Sequence, residues 1–284
     1  MEYENNLVLK RLFTKNTIDD LINNKKNNIF TYTLERYLED TNEKSNNELI
    51  TDIYSIMGKK YRNEYFYKNT LLNKLLLGKH SLNTTTALTE VPIGKSKADF
   101  IMINGRGIVY EIKTELDTLD RLEHQIKDYY KVFKYVNVVT CEEHYEKLMD
   151  KLKGTKVGLY VLTKSNRIST RKEPEEENRY LDYNTIFKFL RKGEFENIIL
   201  QNIGYLPETT EFKYYKECYK LFQEIDLEVI HKNMLNILKK RVLIDIDEYK
   251  KVVPYELKFL IYFSKYDKED YGLLDKFLKN QLGG

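Results

Sequence analysis

Ala98-Asp99-Phe100-Ile101-Met102-Ile103-Asn104-Gly105-Arg106-Gly107-Ile108-Val109-Tyr110-Glu111-Ile112-Lys113 sets two short apolar runs on either side of an Asn-Gly pair. Asn and Gly tolerate the left-handed backbone of a tight turn, so this pair is the strongest hairpin signal in the chain. A third apolar run, residues 87–93, precedes the first two across Gly94-Lys95-Ser96-Lys97. The three runs read as a three-stranded meander. Downstream, Leu119, Leu122, Ile126, Tyr129, Tyr130 and Phe133 recur at helical spacing, with Asp117 or Thr118 available as N-cap. Residues 135–141 read as a strand, 142–152 as a helix and 157–163 as a strand. Upstream, Tyr65, Leu71, Leu72, Leu75 and Leu76 mark a helix over 61–77, with Gly78 as its expected C-cap. The order over 61–163 is therefore αβββαβαβ, an α/β class with a mixed sheet.

Outside this span the texture is helical. Residues 1–58 read as helices broken by Asn-rich turns, and residues 166–284 as helices after a charged surface loop or edge ribbon at 164–178. Pro254 is placed to open one of these helices and a further helix is read over 271–282. Three regions are expected: an N-terminal helical region at 1–58, a core at 59–165 and a C-terminal helical region at 166–284.

Composition narrows the function. The chain has 284 residues with 47 Lys+Arg against 44 Asp+Glu, and it is 42% hydrophobic with no Trp. Bulk electrostatic binding to nucleic acid would need a larger positive excess, so any basic surface is local. Cys141 and Cys218 lie in no metal-ligand spacing, which argues against zinc and disulfides and fits a reducing cytoplasm. Residues 1–28 contain no apolar core of signal-peptide type, and no run approaches the length of a membrane span. His80, His124, His144 and His231 show no ligand spacing.

Chemistry concentrates in a D-x(11)-E-x-K pattern formed by Asp99, Glu111 and Lys113. The triplet alone is uninformative: 28 Glu and 37 Lys predict about 3.6 E-x-K triplets by chance and the chain has four. Context separates Glu111 from Glu211, Glu248 and Glu256, which fall in or beside helices. On a strand, Glu111 and Lys113 share one face, while Ile112 points to the core and offers its carbonyl near the same edge. If Asp99 lies on the partner strand, two carboxylates and a carbonyl make a hard oxygen site for Mg²⁺ or Mn²⁺. With a neighbouring lysine, those are the needs of metal-assisted phosphodiester hydrolysis. Gln125 and Tyr129, four apart on the next helix, share one face. Their Q-x-x-x-Y pattern has a chance expectation of about 0.3, and its second copy, Gln201 to Tyr205, crosses Gly204 at a helix end with no strand before it.

Lys97-Ala98-Asp99-Phe100, Val109-Tyr110-Glu111-Ile112-Lys113 and Gln125-Ile126-Lys127-Asp128-Tyr129 together resemble the PD-(D/E)XK nuclease superfamily in its RecB-like branch. The likeness extends to bacterial and prophage proteins sharing Asp117-Thr118-Leu119, Arg121-Leu122, Gln125 and Tyr129. It covers residues 87–163 and is densest over 111–135. The proline that names the superfamily is absent, and Ala98 stands in its place. The resemblance implies a restriction-endonuclease-like core with Asp99 and Glu111 as metal ligands, Lys113 as catalytic lysine and Gln125 and Tyr129 as the supporting pair. Glu90 on the first strand, or Glu64 on the first helix, is the further acid expected at the metal. Implied with it are Mg²⁺ with Mn²⁺ able to substitute, a nucleic-acid partner with DNA preferred, no membrane, and a phage-defence or DNA-processing setting. The helical regions are expected to mediate a homodimer or a protein partner. The competing readings are a salt-bridged strand face, and a non-catalytic nucleic-acid-binding or partner-binding module that retains the fold. Lys59-Lys60 and Lys239-Lys240-Arg241 read as solvated faces, and Tyr214, Tyr215 and Tyr219 as helix packing.

Overall fold

The computed structural model describes residues 6–78 and 80–281. The chain divides into two compact units, Met1–Leu82 with Thr114–Leu116 and Val242–Gly284, and Asn83–Lys113 with Asp117–Arg241. The three regions read from the sequence divide the chain along its length. The units divide it in space, and they part the C-terminal helices between them.

The first unit is helical, with α1 (Leu7–Leu12), α2 (Lys15–Ile22), α3 (Asn28–Tyr37), α4 (Asn46–Lys60) and α5 (Glu64–Leu71) followed by Ile246–Val252, Lys258–Tyr262 and Lys268–Lys279. Six of these eight helices begin at a side-chain cap. Ser45 and Glu48 form a capping box that starts α4, and the Asn63 side chain accepts from Phe66 N to start α5. The helix expected over 61–77 is present as α5 and a π-helical continuation at Leu72–Leu77. Gly78 follows in ordinary right-handed backbone, so it does not supply the left-handed cap its position suggested. Pro254 caps a short 3₁₀ turn, Tyr255–Leu257, and the α-helix begins only at Lys258. Of the helix read over 271–282, the observed segment is Lys268–Lys279, and residue 282 lies outside the described residues.

Side-chain-to-backbone bonds join the two ends of the chain in this unit. Fully buried Asn69 donates through Nδ2 to Tyr54 Oη at 2.9 Å and to the Tyr255 carbonyl at 3.0 Å, and its Oδ1 accepts from Phe259 N at 2.9 Å. Tyr65 Oη donates to the Glu256 carbonyl at 2.6 Å and Asn46 Nδ2 to the Phe277 carbonyl at 2.9 Å. The first helix of the αβββαβαβ order thus packs among the C-terminal helices.

The second unit is built on a six-stranded mixed sheet whose spatial order follows the chain: β1 (Thr86–Ile93), β2 (Ser96–Asn104), β3 (Arg106–Lys113), β4 (Tyr135–Thr140), β5 (Gly158–Leu162) and β6 (Ile168–Lys172). Strands β1, β2 and β3 form the expected antiparallel meander, β3, β4 and β5 run parallel, and β6 returns antiparallel. Gly105, at φ +71°, is the apex of the β2–β3 turn, where a residue with Cβ would be strained. The parallel connections are made by α6 (Leu122–Tyr129) and α7 (Glu142–Lys151). All five residues of β5 are buried, as is every residue of β4 after Tyr135, the signature of strands covered on both faces. The charged stretch at 164–178 contains β6, an edge ribbon.

Four more helices complete this unit: α8 (Tyr183–Phe189), α9 (Lys192–Ile203), α10 (Glu211–Gln223) and α11 (Leu227–Leu238). Phe187 is their aromatic centre, with ring centroids 4.4 Å from Phe195, 4.9 Å from Tyr215 and 5.1 Å from Tyr219. The tyrosine stripe is packing, as its spacing suggested. Arg241 is structural too: it grips Glu194 at 2.5 Å and lies over the Phe189 ring. Among the described residues no helix is long and apolar enough to cross a membrane.

Candidate metal and phosphodiester site

The β2–β3 ladder stops at the pair Phe100↔Tyr110, leaving residues 111–113 of β3 without backbone partners on β2. The Asp99 side chain takes over there, its Oδ2 accepting from Ile112 N at 2.7 Å. The N–H and C=O of one strand residue point toward the same neighbour. The Ile112 carbonyl therefore lies on the side of β3 that faces Asp99.

Glu111 is the hub. It is 1% exposed, and three side chains converge on its carboxylate. Oε1 accepts from Gln125 Nε2 at 2.5 Å and pairs with Lys113 Nζ at 2.9 Å, while Tyr129 Oη lies 2.5 Å from Oε2. Lys113 Nζ also donates to Gln125 Oε1 at 2.9 Å, closing a ring of lysine, amide and carboxylate. The geometry follows from local periodicity. Strand alternation puts Glu111 and Lys113 on one face, and a helical spacing of four puts Gln125 and Tyr129 on the face of α6 turned toward them.

Burial pushes the Glu111 carboxyl above its usual range, against the opposing pull of Lys113 and of the bonds from Lys113, Tyr129 and Gln125. Tyr129 is pushed up as well, by burial and then by the Glu111 carboxylate. The hydroxyl of Tyr129 also lies 2.9 Å from the Lys97 carbonyl, and a phenol has one proton. With Glu111 ionised, Tyr129 donates to it. With Glu111 protonated, the carboxyl donates to Tyr129 and Tyr129 to the Lys97 carbonyl, so both contacts of the phenol are hydrogen bonds only in that state.

Glu90 sits beside this cluster in an unusual backbone. The β1–β2 register passes from Thr89↔Phe100 to Val91↔Ala98 without a Glu90↔Asp99 pair, and Glu90 is left-handed at φ +55°. Thr89 Oγ1 compensates by donating to the Asp99 carbonyl at 2.8 Å. The Glu90 and Asp99 carboxylates come within 4.8 Å of each other, and Lys97 pairs with Glu90. Glu64, the other expected acid, begins α5 in the helical unit and pairs with Lys68 at 2.5 Å.

Glu90 and Asp99 offer two neighbouring carboxylates, the oxygen chemistry that suits a hard divalent cation, while both Glu111 oxygens are engaged by Gln125, Lys113 and Tyr129. The residues fit a Mg²⁺ or Mn²⁺ ion on chemistry, with Asp99 and Glu90 as the pair whose carboxylates approach each other.

One further residue went unnoticed in the sequence. Asp128, between Gln125 and Tyr129 in the chain but turned the other way, is 2% exposed and receives Lys95 N at 3.0 Å, Ser96 Oγ at 2.8 Å and Lys131 Nζ at 2.7 Å. It fastens α6 to the β1–β2 turn, and so sets where Tyr129 meets Glu111. A Cβ on Gly94, at φ +62°, would stand 2.8 Å from the Asp128 carboxylate, so the turn needs glycine there. The only sequence trace of this clamp is the Gly-Lys-Ser turn. The N-cap expected at Asp117 or Thr118 is not formed: α6 starts after Arg121, without a side-chain cap. His124 faces Asp128 at 3.5 Å and not the cluster. Both cysteines are buried thiols.

The fold and the cluster define an α/β protein with a buried carboxylate, lysine, amide and phenol assembled at the end of a meander strand. A family model described as bacteriophage P4 protein cII matches residues 57–260, well over half of the chain, and the protein belongs to that family. No curated protein and no solved structure matches the chain.

Proposed function

We propose that this protein is a Mg²⁺-dependent nuclease of the PD-(D/E)XK type that hydrolyses phosphodiester bonds, with DNA as substrate and phage defence or DNA processing as setting. The observation that carries the reading is the convergence of Lys113, Gln125 and Tyr129 on buried Glu111, with Asp99 bonded to Ile112 between Glu111 and Lys113. A divalent ion bound by Asp99, Glu111, Glu90 and the Ile112 carbonyl would supply Lewis-acid charge at the scissile phosphate. The chain's own part is positioning. Gln125 and Tyr129 fix the rotamer of Glu111, Asp99 holds the β3 edge, and the Lys113 ammonium supplies positive charge beside the phosphate.

Purified protein incubated with linear, nicked, circular and single-stranded DNA in Mg²⁺ or Mn²⁺ is expected to cut at least one of them. Glu111→Ala and Lys113→Ala are each expected to lower cutting by about 10³-fold or more. Activity equal to wild type in both variants would end the reading.

A second reading, a non-catalytic nucleic-acid-binding or partner-binding module, draws on one feature: both Glu111 oxygens are already engaged by side chains of the protein itself. Titration calorimetry separates the two. The nuclease reading expects Mn²⁺ binding in wild type and none in Asp99→Ala.

A further inference from the structure

On the side of α6 away from Glu111, the sheet unit carries a groove of about 1000 Å³, within the size range of small-ligand sites. Two tyrosines form its aromatic part. Tyr180 is 55% exposed with the Arg179 guanidinium 5.5 Å from its ring, and the Tyr130 ring lies 6.4 Å from it. Tyr130 is 6% exposed and backs the groove beneath Tyr180.

The charges of the groove are unevenly committed. Lys127 pairs with Glu123, Lys131 with Asp128 and Arg179 with Glu177. Lys151 reaches the Leu119 carbonyl at 3.4 Å and Lys156 the Glu176 carbonyl at 2.6 Å. The carboxylate near Lys156, that of Glu177, is 3.8 Å away and already held by Arg179 at 2.5 Å. Two ammonium groups thus keep most of their charge for an anion, beside an exposed aromatic face. That pairing of a stacking platform with loosely held cations suits single-stranded nucleic acid.

We propose that the groove binds one nucleotide of a single-stranded nucleic acid. Its base lies on Tyr180 and its phosphates meet Lys151 and Lys156. This rests on the proposal that nucleic acid is the substrate, and it gives the strand a path across the outer side of the helix that carries Gln125 and Tyr129.

The test measures fluorescence anisotropy of a labelled single-stranded oligodeoxynucleotide and of the matching duplex, in EDTA so that nothing is cut. Tyr180→Ala, a change at an exposed position, is expected to weaken single-strand binding about 5- to 100-fold, and Lys151→Ala to weaken it by a smaller factor. Duplex binding is expected to change less than twofold. Single-strand affinities within twofold of wild type in Tyr180→Ala and Lys151→Ala would overturn the groove, as would equal losses on strand and duplex. Binding of a labelled nucleoside monophosphate with no strand binding would overturn the strand as occupant. Failure of the nuclease reading shows as absent cutting in Mg²⁺, whatever the groove variants do.

Discussion

Asn69 in the helical unit and Glu111 in the sheet unit are both buried polar hubs, yet they are built differently. Asn69 spends its donors and its acceptor on neutral partners, and each bond ties a separate part of the chain. Glu111 carries a charge that burial disfavours, and three neighbours are committed to holding it. Two apolar side chains of similar size would serve a core better than a buried carboxylate and lysine. The contrast teaches where to look for function: a satisfied neutral hub is architecture, whereas a charged hub kept in place by dedicated partners is maintained for something beyond stability.

The largest expected effect on stability tests that distinction. Asn69→Ala strands the Phe259 N–H and the Tyr255 carbonyl, so it is expected to cost about 3 kcal/mol in denaturant unfolding while leaving any cutting by the folded protein intact. Glu111→Gln keeps the shape and most of the bonds, so its cost is expected to be less than half of that, with cutting lost. A reversal of the two stability costs would break the comparison.

His231 on α11 provides a third kind of buried polar group, one with no partner at Nε2 among the described residues. Burial, then the nearby Lys134 charge, lowers its pKa to about 4. Between the ordinary histidine value and about 4, the unfolded chain takes up a proton that the folded one refuses, so stability falls as pH falls through that window. The effect is absent above it. The share due to His231 is about 2 kcal/mol between pH 7 and pH 5, and His231→Gln is expected to flatten the measured pH slope by that amount. An unchanged slope would assign the acid sensitivity elsewhere.

The smallest effect concerns Glu90. Its left-handed backbone costs about 1 kcal/mol, which glycine would not incur. Glu90→Gly is therefore expected to raise stability by about that much and to weaken Mn²⁺ binding in calorimetry. A loss of stability would show that the ion pair with Lys97 outweighs the backbone cost.

Much of the sheet unit was legible because its signals are local. The Asn104-Gly105 turn, the alternation through Glu111 and Lys113, and the four-residue spacing of Gln125 and Tyr129 each act over a few residues. Periodicity sets Glu111 with Lys113 on one face and Gln125 with Tyr129 on another, and the Asp128 clamp helps bring the two faces together. The Asp128 clamp was not legible, because it joins a helix to a turn more than thirty positions earlier and neither partner forms a motif. The helical unit was still harder to see. Its organisation depends on Asn69 meeting Tyr255 and Phe259 nearly two hundred positions away, and no window along the chain contains both. The start of α6 was misplaced because Asp117 and Thr118 have the right chemistry for a cap, while the chain there still runs through turns.

The two outer strands of the sheet bear on self-association. β1 contains Pro92, which has no N–H to give to an incoming strand, and its path is bent by Glu90. β6 is five residues long and ends in Arg171-Lys172, with Arg171 turned to Glu142 at 2.8 Å. Both borders are poor templates for a further strand. A crowded solution of this chain therefore has little to gain from edge-to-edge stacking, and if copies pair, they must do so through side chains instead of through a continuous sheet.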